Sequence, residues 1–207
     1  MKKELRRGFT FNGKPLIGVD IANSQPAILV HVLSQHVGAT HDDKYLFQLG
    51  TGVHAGKFYE KLLLSPQLAG LSRAEMKTQF FDSLYGSIRK TKRSSIFKLI
   101  NQHWPEFADA ILDIKKDDHA HLSHRLQRTE SKIVIDRCCG WLMEHYPNMP
   151  IITVHDEIMT TREYVFLVQL ELRAAFLQET GFLCSVTTKP KYQPTYQGRM
   201  KDLLSAV

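Results

Sequence analysis

Two short apolar segments joined by an Asn-Gly dipeptide open the sequence, and this pattern predicts a β-hairpin over residues 9–20. The second strand of the hairpin is predicted to end at Asp20. Either Asn23 or Ser24 can cap the helix that the apolar residues 28–37 predict. Asp20 is therefore expected where a strand passes into a helix.

Helical patterns fill the middle of the chain. The clearest helix begins at Ser72, which forms a capping box with Glu75, and it runs to Tyr85 before stopping at Gly86. Further helices are predicted over residues 58–64, over 89–110 with an interruption at Pro105, and over 121–145 with a weak point at Gly140.

Short strands return towards the end of the sequence. A turn is predicted at residues 147–150, strands at 151–154 and 157–160 with His155-Asp156 at the tip between them, a helix at 162–179 and a last strand at 182–188. Few strands separated by long helices indicate an α+β fold, in which helices back a small antiparallel sheet. A doubly wound βαβ series does not fit this order.

The composition is that of a globular protein. The 207 residues are 43% hydrophobic and 10% aromatic, which suffices to bury a core and excludes a disordered chain. No apolar run approaches the ~18 residues that a membrane-spanning helix needs, so no membrane partner is expected and the cytoplasm is the predicted location. Three cysteines are too few and too badly spaced for a disulfide framework, and they indicate a reducing compartment.

The charge is modest but uneven. The chain has 27 Lys+Arg and 21 Asp+Glu, a formal net charge of +6, and the cations cluster at residues 2–7, 89–93 and 189–201. Such clusters fit a polyanionic partner such as a nucleic acid, because each cation set against a phosphate releases condensed counterions. A solvated surface would show the same pattern.

The helix predicted from Ser72 carries an unusual stripe. Arg73, Lys77, Phe81 and Tyr85 recur every four residues and so lie on one face, while Met76, Phe80 and Leu84 lie on another. Two cations followed by two flat rings can hold a triphosphate at one end and a base at the other. An ordinary amphipathic helix whose cations extend into solvent is the alternative interpretation.

Two carboxylates are candidates for metal binding. Asp20 ends a strand and Asp156 lies in a hairpin tip, so neighbouring strands would bring both side chains to one edge of the sheet. Two acids so placed repel each other unless cations lie between them, and two Mg²⁺ ions roughly 3.5–4 Å apart are the expected occupants. Glu157 would be an auxiliary acid. The alternative is that both aspartates are ordinary turn residues.

The order of these motifs resembles the palm and fingers of family A DNA polymerases, the DNA polymerase I-like group. The motifs are Asp20 with Ile-Ala-Asn-Ser-Gln-Pro after it, the Arg/Lys/Phe/Tyr-Gly spacing that starts at Arg73, then Gln127, and finally Val-His-Asp-Glu ending at Glu157. The resemblance extends over about residues 5–188, and the spacing from Arg73 is its most specific element. Short relatives with a similar Asn-Ser-Gln-Pro signature suggest a phage or mobile element as the origin, and hence a bacterial or phage-infected cell.

The resemblance implies a role for each residue that matches a family motif. Asp20 and Asp156 would bind the two catalytic metal ions, Mg²⁺ or alternatively Mn²⁺, while Arg73 and Lys77 would grip the triphosphate of an incoming dNTP. Phe81 would pack on the sugar and base of that nucleotide. Phosphoryl transfer depends mainly on in-line positioning and charge neutralisation, which these roles supply.

The implied partner is a primed DNA template. Tyr85 would stand where the template base enters, Gln127 would contact the minor groove of the primer–template, and His155 would contact the primer terminus. The family pattern has Asn and Arg at the positions of Ser123 and His119, so weaker primer contacts are expected.

One further position departs from the family pattern. Gln25 stands where the family has a Glu that blocks the ribose 2′-hydroxyl. Because Gln has nearly the same length, deoxynucleotides should still be favoured, but the charge is lost.

The implied organisation has three parts. Residues 1–40 would form the first part of the palm, 41–118 an abbreviated, helical fingers-like region, and 119–207 the second part of the palm. In the family a thumb and an exonuclease-type domain precede the first Asp motif, and only 19 residues precede Asp20 here. A separate protein supplying the thumb or clamp function, a distributive enzyme, or a fragment of a longer gene would each account for this.

Two other functions remain open. One is a catalytically weak or inactive polymerase-like accessory that binds DNA without incorporation. The other is a metal-binding module built on His119, His121 and His124, although no Cys or carboxylate cluster matches them in the sequence and a solvated helix start is favoured.

Overall fold

The computed structural model describes residues 9–38, 52 and 55–189, and all structural statements below concern these residues. The basic cluster at residues 2–7 and most of the basic cluster at 189–201 lie outside this part of the chain. The cluster at residues 89–93 lies within it.

Within the described residues, five strands form one antiparallel sheet. β2 pairs with β4 along Leu16–Val19 and with β5 along Gly18–Ile21, and β3 pairs with the outer edge of β4. β1 completes the predicted hairpin with β2. The strands are β1 (Thr10–Phe11), β2 (Lys14–Ile21), β3 (Ile152–Val154), β4 (Glu157–Thr161) and β5 (Val186–Lys189).

The hairpin between β1 and β2 confirms the prediction from the Asn-Gly pair. Asn12 and Gly13 both have positive φ, 49° and 75°. A two-residue turn with positive φ at both positions matches the right-handed twist of the strands it joins. The turn therefore sets the register of β1 against β2.

Helices surround the sheet, and their order follows the sequence pattern closely. They are α1 (Ser24–Val37), α2 (Phe58–Leu62), α3 (Arg73–Tyr85), α4 (Ile88–Arg93), α5 (Ser95–His103), α6 (Pro105–Ile114), α7 (His121–Ser131), a π-helical segment (Lys132–Cys139), α8 (Gly140–His145) and α9 (Val165–Thr180). These helices and the small antiparallel sheet confirm the predicted α+β fold.

The two faces of the sheet have different roles. Val19 and Ile21 of β2 are buried in the main core with Leu172 and Phe176 of α9. Side chains alternate along a strand, so Leu16 and Asp20 lie on the opposite face. Leu16 packs with Met159 in a small separate hydrophobic cluster. The face away from α9 therefore carries the candidate acid.

The structure corrects several predicted boundaries. The helix expected over residues 89–110 is broken at Ser94 as well as before Pro105, because the Ser94 hydroxyl accepts a hydrogen bond from the Phe97 amide and starts a new helix. The last strand begins at Val186 rather than at residue 182. The long helix is irregular over Lys132–Cys139, directly before the predicted weak point.

The prediction of a side-chain cap for α1 is wrong. Asn23 occupies the cap position with a left-handed backbone, but its side chain makes no cap hydrogen bond. Its amide donates instead to the carbonyl oxygen of Gly56, at 2.5 Å. This contact ties the start of α1 to the segment that precedes α2.

No helix in the described part of the chain is long and apolar enough to cross a membrane. The three cysteines are buried and unpaired by disulfides. Burial raises the pKa of the Cys139 thiol to about 11 and that of Cys184 to about 12, so these thiols are uncharged at neutral pH.

Candidate active site

A cleft of about 600 Å³ opens between the end of β2, the start of α1 and the exposed side of α3. We call the residues on the first side the sheet wall (Asp20, Ser24, Gln25 and Asp156) and those on the second side the helix wall (Arg73, Lys77 and Phe81). All seven line the same cleft, together with Tyr59 and Glu130. Six of the seven are candidates that the sequence motifs indicated.

The two candidate acids reach the cleft from segments far apart in the chain. Asp20 is buried near the end of β2, and its Oδ1 accepts a hydrogen bond of 2.6 Å from the Thr187 hydroxyl on the paired strand β5. Asp156 lies in the turn between β3 and β4, where its Oδ2 accepts from the Ser24 hydroxyl at 3.1 Å. The expected convergence of these two carboxylates on one cleft is thus present in the structure.

Glu157 is buried beside β2. It is the first residue of β4, it is 4% exposed, and it does not line the cleft. Its side chain lies over Gly18, where a Cβ atom would come within 1.8 Å of Oε1. The absence of a side chain at Gly18 therefore creates the space that Glu157 occupies.

The helix wall has the two-faced pattern that the spacing predicted. Ser72 and Glu75 form both hydrogen bonds of the capping box, so the start of α3 is well defined. Met76, Phe80 and Leu84 are buried in the core, which turns the opposite stripe towards the cleft.

Each cation of the helix wall has a neighbour. Arg73 Nε donates to Glu60 at 2.7 Å, and its guanidinium lies over the Tyr59 ring at 5.3 Å. This ion pair uses one of five N–H donors, so the guanidinium can still bind a second anion. Lys77 Nζ lies 5.7 Å from the centre of the Phe81 ring, and both cationic side chains are exposed.

The aromatic half of the stripe is ordered by stacking. Phe81 and Tyr85 are stacked with ring centres 5.5 Å apart and an angle of 12° between their planes. The Tyr85 hydroxyl donates to Gln25 Oε1 at 3.0 Å, which connects α3 to α1 across the end of the cleft. Burial, with a smaller effect of the Glu130 charge, raises the pKa of Tyr85 to about 12, so this hydroxyl keeps its proton at neutral pH.

Glu130 is a member of the site that the sequence motifs did not reveal. It lies on α7, lines the cleft and accepts a 2.9 Å hydrogen bond from Gln25 Nε2. Burial and the neighbouring Asp156 charge raise the pKa of Glu130, while hydrogen bonds from Gln25 and Ser24 oppose the rise. Only the packing of α7 against α1 brings Glu130 here, and no local sequence signal marks it.

Lys115 is a second residue that sequence reasoning missed. It is fully buried after α6, and its Nζ donates to the carbonyl oxygens of Ser83 (3.0 Å) and Leu84 (2.8 Å) and to the Thr91 hydroxyl (2.9 Å). Helices leave their last carbonyl groups without internal partners, so Lys115 holds the C-terminal end of α3. Desolvation lowers the pKa of this ammonium from 10.5 to about 8.

Three residues expected to contact the primer–template lie outside the cleft lining. Gln127 and His155 are exposed, the latter in a left-handed conformation with φ of 57° at the hairpin tip. Ser123 is buried, and its hydroxyl donates to the Ala120 carbonyl of its own chain segment at 2.7 Å. Gln127 and His155 are therefore available to a macromolecule, and Ser123 is much less so.

The donor set suits Mg²⁺ better than a protein-enclosed metal. Among the described residues, no group of three or more His, Cys, Asp and Glu side chains is arranged to hold a metal ion. Mg²⁺ is commonly bound by one or two carboxylates together with water and substrate phosphates, which two aspartates on one cleft provide. In the alternative zinc module, His119 and His121 lie 3.6 and 4.0 Å from Asp118 on the exposed surface.

The comparisons with known proteins concern the fold. No family model matches the chain, and no curated protein sequence matches it either. Among solved structures, it is similar to the POL domain of Pol1 from M. smegmatis in complex with DNA primer-template and dNTP, with a TM-score of 0.56 and 15% identity. The match covers 88% of this chain and 41% of the solved chain. The protein therefore has a polymerase-like α+β fold and spans less than half the length of that neighbour.

Proposed function

We propose that this protein is a template-directed DNA polymerase that transfers dNTPs to the 3′-hydroxyl of a primer, in DNA replication or repair. The observation that carries this proposal is the cleft itself, in which Asp20 and Asp156 face Arg73 and Lys77. A negative wall opposite a positive wall is the arrangement that a magnesium-bound triphosphate requires.

The carboxylates of Asp20 and Asp156 are the groups that would hold the two divalent ions, Mg²⁺ or alternatively Mn²⁺. When bound, such ions neutralise phosphate charge and lower the pKa of an attacking hydroxyl. Thr187 and Ser24 each donate a hydrogen bond to one carboxylate oxygen of these aspartates, which helps to hold the carboxylates in place. Glu157 would be an auxiliary acid of this region.

The helix wall would bind the incoming nucleotide. Arg73 and Lys77 would hold the triphosphate oxygens through charge-assisted hydrogen bonds. Phe81 would pack on the sugar and base, and Tyr85 would stand at the entry of the template base. Gln25, bonded to Tyr85, would form the barrier against a ribose 2′-hydroxyl.

The primer–template would bind outside the cleft. Gln127 and His155 present exposed side chains for the minor groove and the primer terminus, whereas a contact by Ser123 would require its internal hydrogen bond to be exchanged. The exposed cations of α4, Arg89, Lys90, Lys92 and Arg93, supply positive charge next to the end of α3. Nucleic-acid phosphates favour such surfaces.

The proposed organisation follows the family resemblance. Residues 1–40 and 119–207 form the palm and residues 41–118 the fingers-like region. We also infer a phage or mobile-element origin and a cytoplasmic location, which the Asn-Ser-Gln-Pro signature and the reducing character of the cysteines support.

A primer-extension assay tests the proposal. Purified protein is incubated with a labelled primer on a DNA template, with dNTPs and either Mg²⁺ or Mn²⁺, and templated extension by at least one nucleotide is expected. An RNA template of the same sequence defines the template class. Absence of extension at any excess of protein, together with retained DNA binding, would favour the alternative of an inactive polymerase-like DNA-binding accessory.

A further inference from the structure

Tyr85, Gln25 and Glu130 form a continuous chain of hydrogen bonds across one end of the cleft. The Tyr85 hydroxyl donates to Gln25 Oε1 at 3.0 Å, and Gln25 Nε2 donates to Glu130 Oε1 at 2.9 Å. The three residues come from α3, α1 and α7, and Gln25 is only 8% exposed. Both ends of this buried amide are therefore held by other helices.

The chemistry of the three groups makes Glu130 the one that decides how Gln25 is oriented. An ionised carboxylate only accepts hydrogen bonds, whereas a tyrosine hydroxyl can donate or accept. If the Gln25 amide were turned over, its oxygen would face the Glu130 carboxylate, and two acceptors would oppose each other. Tyr85 alone would accept either orientation.

This dependence follows from the amide at position 25. A carboxylate there would present an acceptor to Tyr85 with either oxygen, so no second residue would be needed to choose between two orientations. An amide has one accepting and one donating end, and its buried NH₂ group requires an acceptor of its own. Glu130 supplies that acceptor.

We propose that Glu130 is a positioning residue for sugar discrimination, holding Gln25 in the single orientation in which it bonds Tyr85 and obstructs a ribonucleotide. This inference rests on the proposed function, in which Gln25 is the barrier to the 2′-hydroxyl. Glu130 itself need not touch the nucleotide. Its effect is expected on the preference between dATP and ATP rather than on catalysis in general.

The test compares three single variants with the unaltered protein on a primed DNA template. Glu130→Ala removes the acceptor and should lower the preference for dATP over ATP by about tenfold, the factor that one hydrogen bond of ordinary net strength provides. Glu130→Asp keeps a carboxylate that can only accept and should retain most of the preference. Glu171→Ala removes a half-buried carboxylate on α9, outside the cleft, and should leave the preference unchanged.

The decisive measurement is the ratio of dATP to ATP incorporation, because Ser24 connects Glu130 to a proposed catalytic residue, Asp156. Its hydroxyl lies between Glu130 and Asp156, so loss of Glu130 can slow incorporation of both nucleotides equally. A merely structural role would lower the rates or the stability and leave the ratio intact. A role in orienting Gln25 changes the ratio and is rescued by Glu130→Asp.

Nucleotide binding is measured in parallel, with Ca²⁺ and primed template, by titration calorimetry with dATP and with ATP. If the protein extends primers and Glu130→Ala keeps the full preference, the inference is overturned and the proposed function stands. If no extension occurs but dATP binds more tightly than ATP and only Glu130→Ala reduces that difference, the inference stands and the proposed catalysis does not. If the unaltered protein shows no preference in either assay, the inference is overturned.

Discussion

The sheet wall and the helix wall of the cleft are built by different means. Asp20, Gln25 and Asp156 are wholly or partly buried, and each is held by a hydrogen bond from a different element. Arg73 and Lys77 are exposed: Arg73 pairs with Glu60 and lies over the Tyr59 ring, and Lys77 lies over the Phe81 ring. The side chains of the sheet wall are held in place before a ligand binds, whereas the cationic side chains of the helix wall can change conformation when a ligand binds.

This difference suits the chemistry that each wall is proposed to perform. Carboxylates that hold metal ions act only in a narrow geometry, so their positions gain from being fixed before the substrate arrives. Long cationic side chains can follow a triphosphate as it binds, at the expense of some side-chain entropy. Substitutions in the sheet wall should therefore lower the rate of primer extension, and substitutions in the helix wall should mainly weaken nucleotide binding.

The largest effect is expected from the acids of the sheet wall. Asp20→Asn and Asp156→Asn should each lower primer extension by at least a hundredfold, roughly the loss seen when one pre-organised electrostatic group is removed. Folding and DNA affinity should be retained, because removing one of two like charges relieves repulsion. Extension assays and circular dichroism check this, with Asp109→Asn on the exposed side of α6 as the control. Retained activity in either variant would overturn the two-metal assignment.

A smaller and different effect is expected from the helix wall. Lys77→Ala should raise the dNTP concentration needed for half-maximal extension by roughly 10–100-fold, since a hydrogen bond to a charged group contributes about 1.5–3 kcal/mol. The maximal rate should fall much less. Lys98→Ala, an exposed cation on α5, is the matched control. Equal losses for both lysines would mean that Lys77 acts only through general surface charge.

The attachment of the helix wall should depend on Lys115. Lys115→Met keeps the buried length but leaves the Leu84 carbonyl without its donor, while Ser83 keeps the Thr91 hydroxyl. The free energy of unfolding should fall by about 1–3 kcal/mol, the cost of a buried unsatisfied group. Chemical denaturation measures this, and the exposed neighbour Lys116→Met should be neutral.

The difference in the free energy of unfolding between the unaltered protein and Lys115→Met should change with pH in a direction that follows from the lowered pKa of Lys115. Between pH 8 and 10.5 the unfolded chain keeps the Lys115 proton and the folded protein loses it, so the contribution of Lys115 to the free energy of unfolding rises with pH. Well below pH 8 the folded and the unfolded chain both keep the Lys115 proton, so this pH-dependent contribution to the free energy of unfolding is absent. The stability gap between the unaltered protein and Lys115→Met should therefore widen over this range. A gap that stays constant or narrows would show that the buried ammonium is not destabilised by desolvation.

The last prediction concerns two glycines, whose substitution by alanine should change the free energy of unfolding in opposite directions. Gly18→Ala places a methyl group where the Glu157 side chain lies, and overpacking of this kind typically costs 1–3 kcal/mol. Gly140→Ala meets nothing closer than 3.7 Å in a helical segment and should stabilise the protein by about 0.5–1 kcal/mol. Denaturation curves for both variants check this. A neutral Gly18→Ala would show that Glu157 can leave its position at no cost.

Much of the fold could be predicted because its signals are local. The Asn-Gly turn, the capping box at Ser72 and the proline that starts α6 each act within a few residues. The stripe on α3 also follows from one spacing, since the helical period alone decides which side chains share a face. The strand–helix transition at Asp20 was predicted for the same reason.

The sites that could not be predicted depend on contacts between distant segments. Glu130 is a site residue only because α7 packs beside α1, and Lys115 caps α3 from 31 positions away. The expected side-chain cap at Asn23 was displaced by a partner that the local sequence does not show, the Gly56 carbonyl. A buried polar group takes whichever partner the packing offers.

The sequence by itself determined the order of strands and helices, the two faces of α3 and the identity of most candidate residues, because turn chemistry and periodicity act over short distances. Only the tertiary structure decided that Asp20 and Asp156 share one cleft with Arg73 and Lys77, and that Glu130 stands beside Gln25. Those contacts join residues more than fifty positions apart, and the burial of a common core sets their distances.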